Sequence, residues 1–114
     1  MTVKKIIAKE LYERIPSSEK TFVLDVRAEE KYNEFHIEAA QFESHNIPKT
    51  VIFELDELGE NQVSLPKDKE IIVTCTTGNS AAKCAEILDR LNFNVKVLEG
   101  GVTAWKEYIR SINK

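Results

Sequence analysis

Hydrophobic residues in this chain fall into short continuous runs separated by stretches of longer period. The runs at Lys5–Ile7, Phe22–Asp25, Ala40–Phe42, Ile71–Thr74 and Val95–Leu98 read as strands. Between them, apolar positions recur every three or four residues over Lys9–Ile15, Glu29–Phe35, Thr50–Leu58, Ala81–Leu91 and Val102–Ile112, which predicts helices. Such β-α alternation predicts a parallel sheet with helices on both faces and right-handed crossovers. The runs at 21–25 and 71–74 are almost wholly apolar, as strands covered on both faces should be.

The helix over Ala81–Leu91 has the clearest pattern. With successive residues 100° apart, Ala81, Cys84, Ala85, Ile87, Leu88 and Leu91 gather on one side. Lys83, Glu86, Asp89 and Arg90 gather on the other. Asn79 or Ser80 is expected to cap its start with a short polar side chain, and Asn92 to stop it. The stripe of Val102, Trp105, Ile109 and Ile112 places Trp105 in the core.

At 114 residues, the chain (1–114) is expected to form one domain with one core. Its 42% apolar and 31% charged residues are those of an ordinary globule. A formal charge of −3, with basic residues scattered among acids, argues against nucleic acid as a partner. No apolar run approaches the ~20 residues that span a bilayer, and Met1–Lys9 has no signal-peptide character, so no membrane partner is expected. The expected location is cytoplasmic, where Cys75 and Cys84 would be reduced thiols. Their spacing, with His36 and His45 as the two histidines, matches no metal-ligand pattern, and no cofactor is implied.

The segment Ile71-Ile72-Val73-Thr74-Cys75-Thr76-Thr77-Gly78-Asn79-Ser80 carries the candidate chemistry. A cysteine ends a buried strand, and a short glycine-containing loop leads directly into a helix. In open parallel sheets ligands bind beyond the carboxyl ends of the strands. Loop amides and the helix terminus would converge on the Cys75 sulfur and favour negative charge there, a helix terminus contributing about 0.3–1 kcal/mol, and up to ~2 when partly buried. The thiolate is the nucleophile of sulfur chemistry, and the same amides would hold the anionic end of a persulfide.

Several landmarks now fall in order. Leu24-Asp25-Val26-Arg27 is followed by Tyr32 and His36-Ile37, then by Asn46-Ile47-Pro48. The Cys75–Ser80 loop comes next, and Leu98-Glu99-Gly100-Gly101 with Ala104-Trp105 closes the series. The chain thereby resembles the rhodanese-like (sulfurtransferase) family over nearly its whole length. That resemblance implies a three-layer sandwich around a five-stranded parallel sheet, and a cysteine that becomes a persulfide, carried over here onto Cys75. Thr76, Thr77, Gly78, Asn79 and Ser80 would supply the amides of the persulfide cradle. The partners implied are small sulfane-sulfur donors, thiol acceptors and a sulfur-relay protein.

The departures from the family pattern also carry information. Phe35 stands where glycine usually precedes His-Ile, and Glu38-Ala39-Ala40 replaces a Pro-Gly-Ala-like turn. Ser80 replaces the loop's customary final arginine, and Ala81 the serine after it. Losing that cation removes a charge-assisted hydrogen bond to an anionic substrate, about 1.5–3 kcal/mol. Persulfides, polysulfides or a protein donor are therefore expected in preference to thiosulfate. Lys83, the nearest replacement, lies on the polar arc. A Cys-x5-Arg phosphatase loop is excluded because the sixth residue after Cys75 is Ala81.

Remaining candidates read as structural. Cys84 lies mid-arc and should pack rather than resolve a disulfide. Asp25 and Arg27 suit an ion pair, His36 a structural histidine rather than a thiol base, and His45 a solvated loop position. The alternative to a sulfurtransferase is a catalytically silent module of the same fold that binds another protein.

Overall fold

The computed structural model describes residues 3–17, 19–59 and 63–113. The chain runs β1 (Lys4–Ile6), α1 (Ala8–Tyr12), β2 (Thr21–Asp25), α2 (Glu29–Glu34), β3 (Phe42–Asn46), α3 (Lys49–Leu58), β4 (Glu70–Thr74), α4 (Asn79–Arg90), β5 (Asn94–Leu98) and α5 (Gly101–Ile112). All four strand pairings are parallel, in the order β1-β5-β4-β2-β3. The α/β class, the five strands and the coverage of both faces are as the alternation and the resemblance implied.

Side-chain alternation divides the core in two. Phe22, Leu24, Ile71, Val73, Val95 and Val97 face α3 and α4, where Ile52, Leu55, Cys84 and Leu88 meet them. Val23, Ile72 and Leu98 point the other way, onto Leu11 of α1 and Val102 and Trp105 of α5. β2 is buried at every position, because it sits between β3 and β4 with helices above and below. Each fully buried Leu, Ile or Val contributes about 1.5–3 kcal/mol by leaving water. β4 is therefore anchored from both faces, and its carboxyl end is a rigid platform for Cys75.

The observed boundaries differ from expectation where polar chemistry overrides the pattern. Ile7 is exposed and lies outside β1, because its N–H donates to Glu10 (3.1 Å) and begins α1. The third strand is displaced from 40–42 to Phe42–Asn46, pairing Thr21 with Phe42 through Asp25 with Asn46. It is an edge strand whose Glu43, Ser44 and His45 are not buried, so it gives no hydrophobic signal. His45 accordingly lies in a strand rather than a loop, exposed and stacked on Phe22 with 4.6 Å between ring centroids. α4 begins two residues earlier than the apolar arc, at Asn79, and Asn92 ends its C-terminal turn in a left-handed conformation (φ 71°) as expected.

α2 buries none of its side chains. It is held instead by the Tyr32 hydroxyl, which donates to Ser44 (3.0 Å), and by Tyr32 stacking on His36 at 3.9 Å. At the opposite end of the sheet, Glu70 accepts from Arg14 (2.6 Å) and pairs with Lys96 (3.2 Å), joining the segment after α1 to β4 and β5. Burial raises the Glu70 pKa, but hydrogen bonds from Arg14 and Lys96 outweigh it and hold the carboxyl below its ordinary 4.5.

A group whose pKa falls on folding stabilises the fold above its unfolded value, and that contribution disappears as pH falls through the folded value. Glu70→Gln is therefore expected to lower stability near neutral pH by about 0.2–1 kcal/mol, the range for partly exposed ion pairs. The difference from wild type should shrink below about pH 4.5, the ordinary value, and vanish in stronger acid. Thermal melts of both proteins across that range check the sign.

Candidate active site

Cys75 follows the last residue of β4, and its side chain is nearly buried at 5% exposure. Its sulfur accepts the backbone N–H of Gly78 at 3.1 Å and of Ala81 at 3.3 Å. Ala81 is the third residue of α4, so one donor to the sulfur belongs to the helix's first turn. Those first-turn amides have no partner within the helix. Neither Asn79 nor Ser80 caps α4 as the sequence implied: both are helical residues, and the N-cap position is Gly78. The sulfur itself fills the role that a serine or aspartate oxygen plays at other helix starts.

Loop geometry follows from how its carbonyls are claimed. The Cys75 carbonyl accepts from Val102 N–H (2.9 Å), and the Thr76 carbonyl from Thr103 N–H (3.1 Å), both in the first turn of α5. With its carbonyls drawn towards α5, the loop turns amides towards the sulfur. Gly101 permits this approach, since a Cβ there would collide with the Cys75 carbonyl oxygen and lie 2.7 Å from that of Thr76. Gly78 meets a different demand, a φ of 106° that side chains rarely adopt.

Above the sulfur lies a cleft of about 510 Å³. Thr76, Thr77, Asn79 and Ser80 line it, while Gly78 contributes its amide from below. The far wall comes from Arg27 after β2, Lys31 on α2, and Pro48 to Thr50 at the start of α3. That wall is fixed by the main chain: Val26 N–H donates to Thr74, and Lys49 N–H donates to the Val26 carbonyl (2.9 and 2.8 Å). Sequence reasoning did not find the Ala81 amide, Lys31 or Lys49 as site features. Lys83 is exposed and does not line the cleft.

Other sequence candidates sort as follows. Asp25 and Arg27 form a two-pronged ion pair, Nη2 to Oδ2 at 2.7 Å and Nε to both carboxylate oxygens at 3.0 Å. The guanidinium also donates to the Phe35 carbonyl (2.6 Å), so it ties the chain after β2 to the end of α2. Asn46 adds a brace, donating to the carbonyls of Asp25 and Arg27 at 3.0 and 2.9 Å. His36 lines a separate hollow with Tyr12 and Trp105, and its Nδ1 pairs with the Tyr32 carbonyl (3.0 Å). It therefore does not act as a base on Cys75. Cys84 is completely buried on α4; burial, then the neighbouring Cys75, push its thiol up to about 12 against a smaller opposing effect of Lys49. Among the described residues, no cluster of His, Cys, Asp or Glu could hold a metal, and no helix is long and apolar enough to cross a membrane.

Comparison with known proteins now adds to this geometry. Residues 7–108 match the family model described as the rhodanese-like domain. The chain belongs to the rhodanese-like family. A putative sulfurtransferase of Bacillus subtilis, YtwF, is 29% identical over 106 residues, covering 93% of each chain. The probable adenylyltransferase/sulfurtransferase MoeZ of Mycobacterium tuberculosis is 30% identical over 106 residues; the match covers 92% of this chain but 25% of that protein. Among solved structures, a rhodanese-related protein of Thermoplasma volcanium superposes with a TM-score of 0.71 at 36% identity, covering 92% of each chain. A rhodanese-like domain protein of Staphylococcus aureus gives 0.75 at 27% identity, over 90% of this chain and 91% of its own.

Two outcomes follow from the loop. Brief iodoacetamide treatment and peptide mapping should find Cys75 labelled well before Cys84, one sulfur lying at a cleft and the other sealed in the core. Equal labelling would contradict the observed burial. Gly101→Ala should lower stability by about 1–3 kcal/mol, typical of strain from forced overpacking. It should also slow Cys75 alkylation, because the carbonyls that set the loop must move away from α5. Chemical denaturation and timed alkylation read the two effects.

Proposed function

We propose that this rhodanese-like protein is a sulfurtransferase that carries sulfane sulfur as a persulfide on Cys75. The supporting observation is the Cys75 sulfur at the floor of a cleft, accepting two backbone N–H groups at 3.1 and 3.3 Å. A sulfur so placed is held by dipoles that favour its anion without neutralising it through an ion pair. The Cys75 thiolate attacks the outer sulfur of a donor R–S–SH. The donor's S–S bond breaks, its electron pair leaves on RS⁻, and Cys75–S–SH remains and ionises. The amides of Thr76, Thr77, Gly78, Asn79 and Ser80 then surround the terminal sulfur until an acceptor thiolate attacks it, releasing the Cys75 thiolate.

The sulfurtransferase names of YtwF and MoeZ support this activity, and the acceptor in this reading is a small thiol or a sulfur-relay protein. A cytoplasmic setting accords with two free cysteines. Thiosulfate is a weak donor in this reading, since Ser80 offers no guanidinium to its oxygens.

Incubation with a low-molecular-weight persulfide should add the mass of one sulfur atom to the intact protein. Cys75→Ser should take up none, and Cys84→Ser should load as wild type does. Ser80→Arg should raise kcat/KM for thiosulfate by about 10–100-fold, the kinetic equivalent of regaining one charge-assisted hydrogen bond. Wild type that accepts sulfur from no donor would overturn the proposal and leave a silent interaction module.

A further inference from the structure

A second hollow, of about 800 Å³, lies between α5, the end of α1 and the chain that follows α2. It shares no lining residue with the Cys75 cleft, and the sulfur chemistry makes no use of it. Its volume is that of a small-molecule site, and such sites combine apolar walls with a few placed charges. Tyr12, Ile15, Trp105, Ile109 and Phe35 supply the apolar walls. Phe35 stands in place of the glycine usual before His-Ile, and it is 38% exposed, lining the hollow rather than the core. Its ring and backbone are both held. Lys106 Nζ lies 4.5 Å from the ring centroid, and the Phe35 carbonyl accepts the Arg27 guanidinium. This wall is therefore formed before any occupant arrives.

We infer that this hollow binds a small carboxylate with a flat apolar body, of the arylalkyl acid class. The ring lies against Trp105 and Phe35, and the carboxylate sits between Lys106 and Arg110. These two cations both line the hollow and stand one turn apart on α5, where side chains are neighbours. Among the described residues neither has a carboxylate partner, and Arg110 has no ring partner either. Two acids, Glu34 and Glu38, belong to the wall made by the end of α2 and the chain after it. They do not converge as the cations do, because α2 ends at Glu34 and Glu38 faces His36 at 3.8 Å. The acids repel a carboxylate and the cations attract it, so the charge of the occupant is turned towards α5. This inference is independent of the persulfide reading.

Trp105 is the single tryptophan of the chain, so its emission reports on the hollow directly. The probes are 3-phenylpropanoate, its amide and 3-phenylpropylamine, which share a shape and differ in charge. The acid should change Trp105 emission saturably, with a Kd on the order of 1 mM for so few atoms. The amide and the amine should bind about five- to tenfold more weakly, the difference made by two partly exposed charge pairs. Arg110→Gln should weaken the acid about two- to fivefold and leave the amide unchanged. Arg110→Glu should invert the order, so that the amine binds better than the acid. Phe35→Gly should weaken acid and amide alike, and Lys83→Gln neither. Blocking Cys75 beforehand with iodoacetamide should leave every affinity as it was. Equal affinities of the three probes, an acid affinity indifferent to both Arg110 substitutions, or no saturable change with any probe would overturn the assignment. Loss of acid binding once Cys75 is blocked would put the anion in the other cleft and overturn it too.

Discussion

The site depends on one loop whose polar groups are divided between two helix starts. α5 takes the carbonyls of Cys75 and Thr76 through Val102 and Thr103, while α4 presents the Ala81 amide to the Cys75 sulfur. Each arrangement requires the other. If the carbonyls were not held, the loop could turn one towards the sulfur and oppose the anion it is proposed to carry. If the sulfur did not accept from Ala81 and Gly78, those amides would lack this partner beside a buried core, at a cost of about 1–3 kcal/mol for each left unsatisfied. The glycines at 78 and 101 are the steric conditions for this division: one supplies the turn, the other the close approach of α5.

The platform beneath the loop is rigid for a separate reason. β4 lies between β2 and β5, and its side chains enter both halves of the core. On the neighbouring strand, Asp25 is almost wholly buried and is offset by the Arg27 guanidinium rather than left as a lone charge. Through Phe35, the same guanidinium joins α2 to the end of β2. The cleft's far wall is thus positioned by an ion pair and by main-chain bonds, and the Cys75 loop by helix termini. Cys84 fits the same division: it is chemically a thiol, but complete burial makes it part of the α4 core face.

Features of the chain that repeat a simple period were legible, and those that depend on distant pairing were not. The arc Ala81, Cys84, Ala85, Ile87 and Leu88 is buried as the 3.6-residue period required. β2 and β4 announced themselves by continuous apolar runs. β3 did not, because an edge strand can hold its register through backbone pairing to β2 while showing polar side chains to solvent. The cap of α4 was not legible for a chemical reason: sequence rules look for an oxygen-bearing cap, whereas here the acceptor is a sulfur from the preceding loop. Cys75 itself was legible because strand, cysteine, glycine and helix follow one another directly. Lys31 and Lys49 were not, since nothing in their local sequence connects two surface lysines with a cysteine on another strand. Only the folding of α2 and α3 around the end of β2 brings them to the cleft.

That separation of charge from sulfur bears on how such a site would work. A cation within the loop would act on both the incoming anion and the persulfide formed from it. Interactions that stabilise the bound substrate and the transition state alike lower KM without speeding the step between them. Under the proposed function, the neutral amides of the loop would hold the transferring sulfur, and the basic residues of the cleft lie on its far wall. A persulfide on Cys75, as proposed, would face backbone N–H dipoles rather than an ion pair, which leaves its outer sulfur open to an acceptor thiolate. A loop without arginine is then suited to passing sulfur on rather than to storing it.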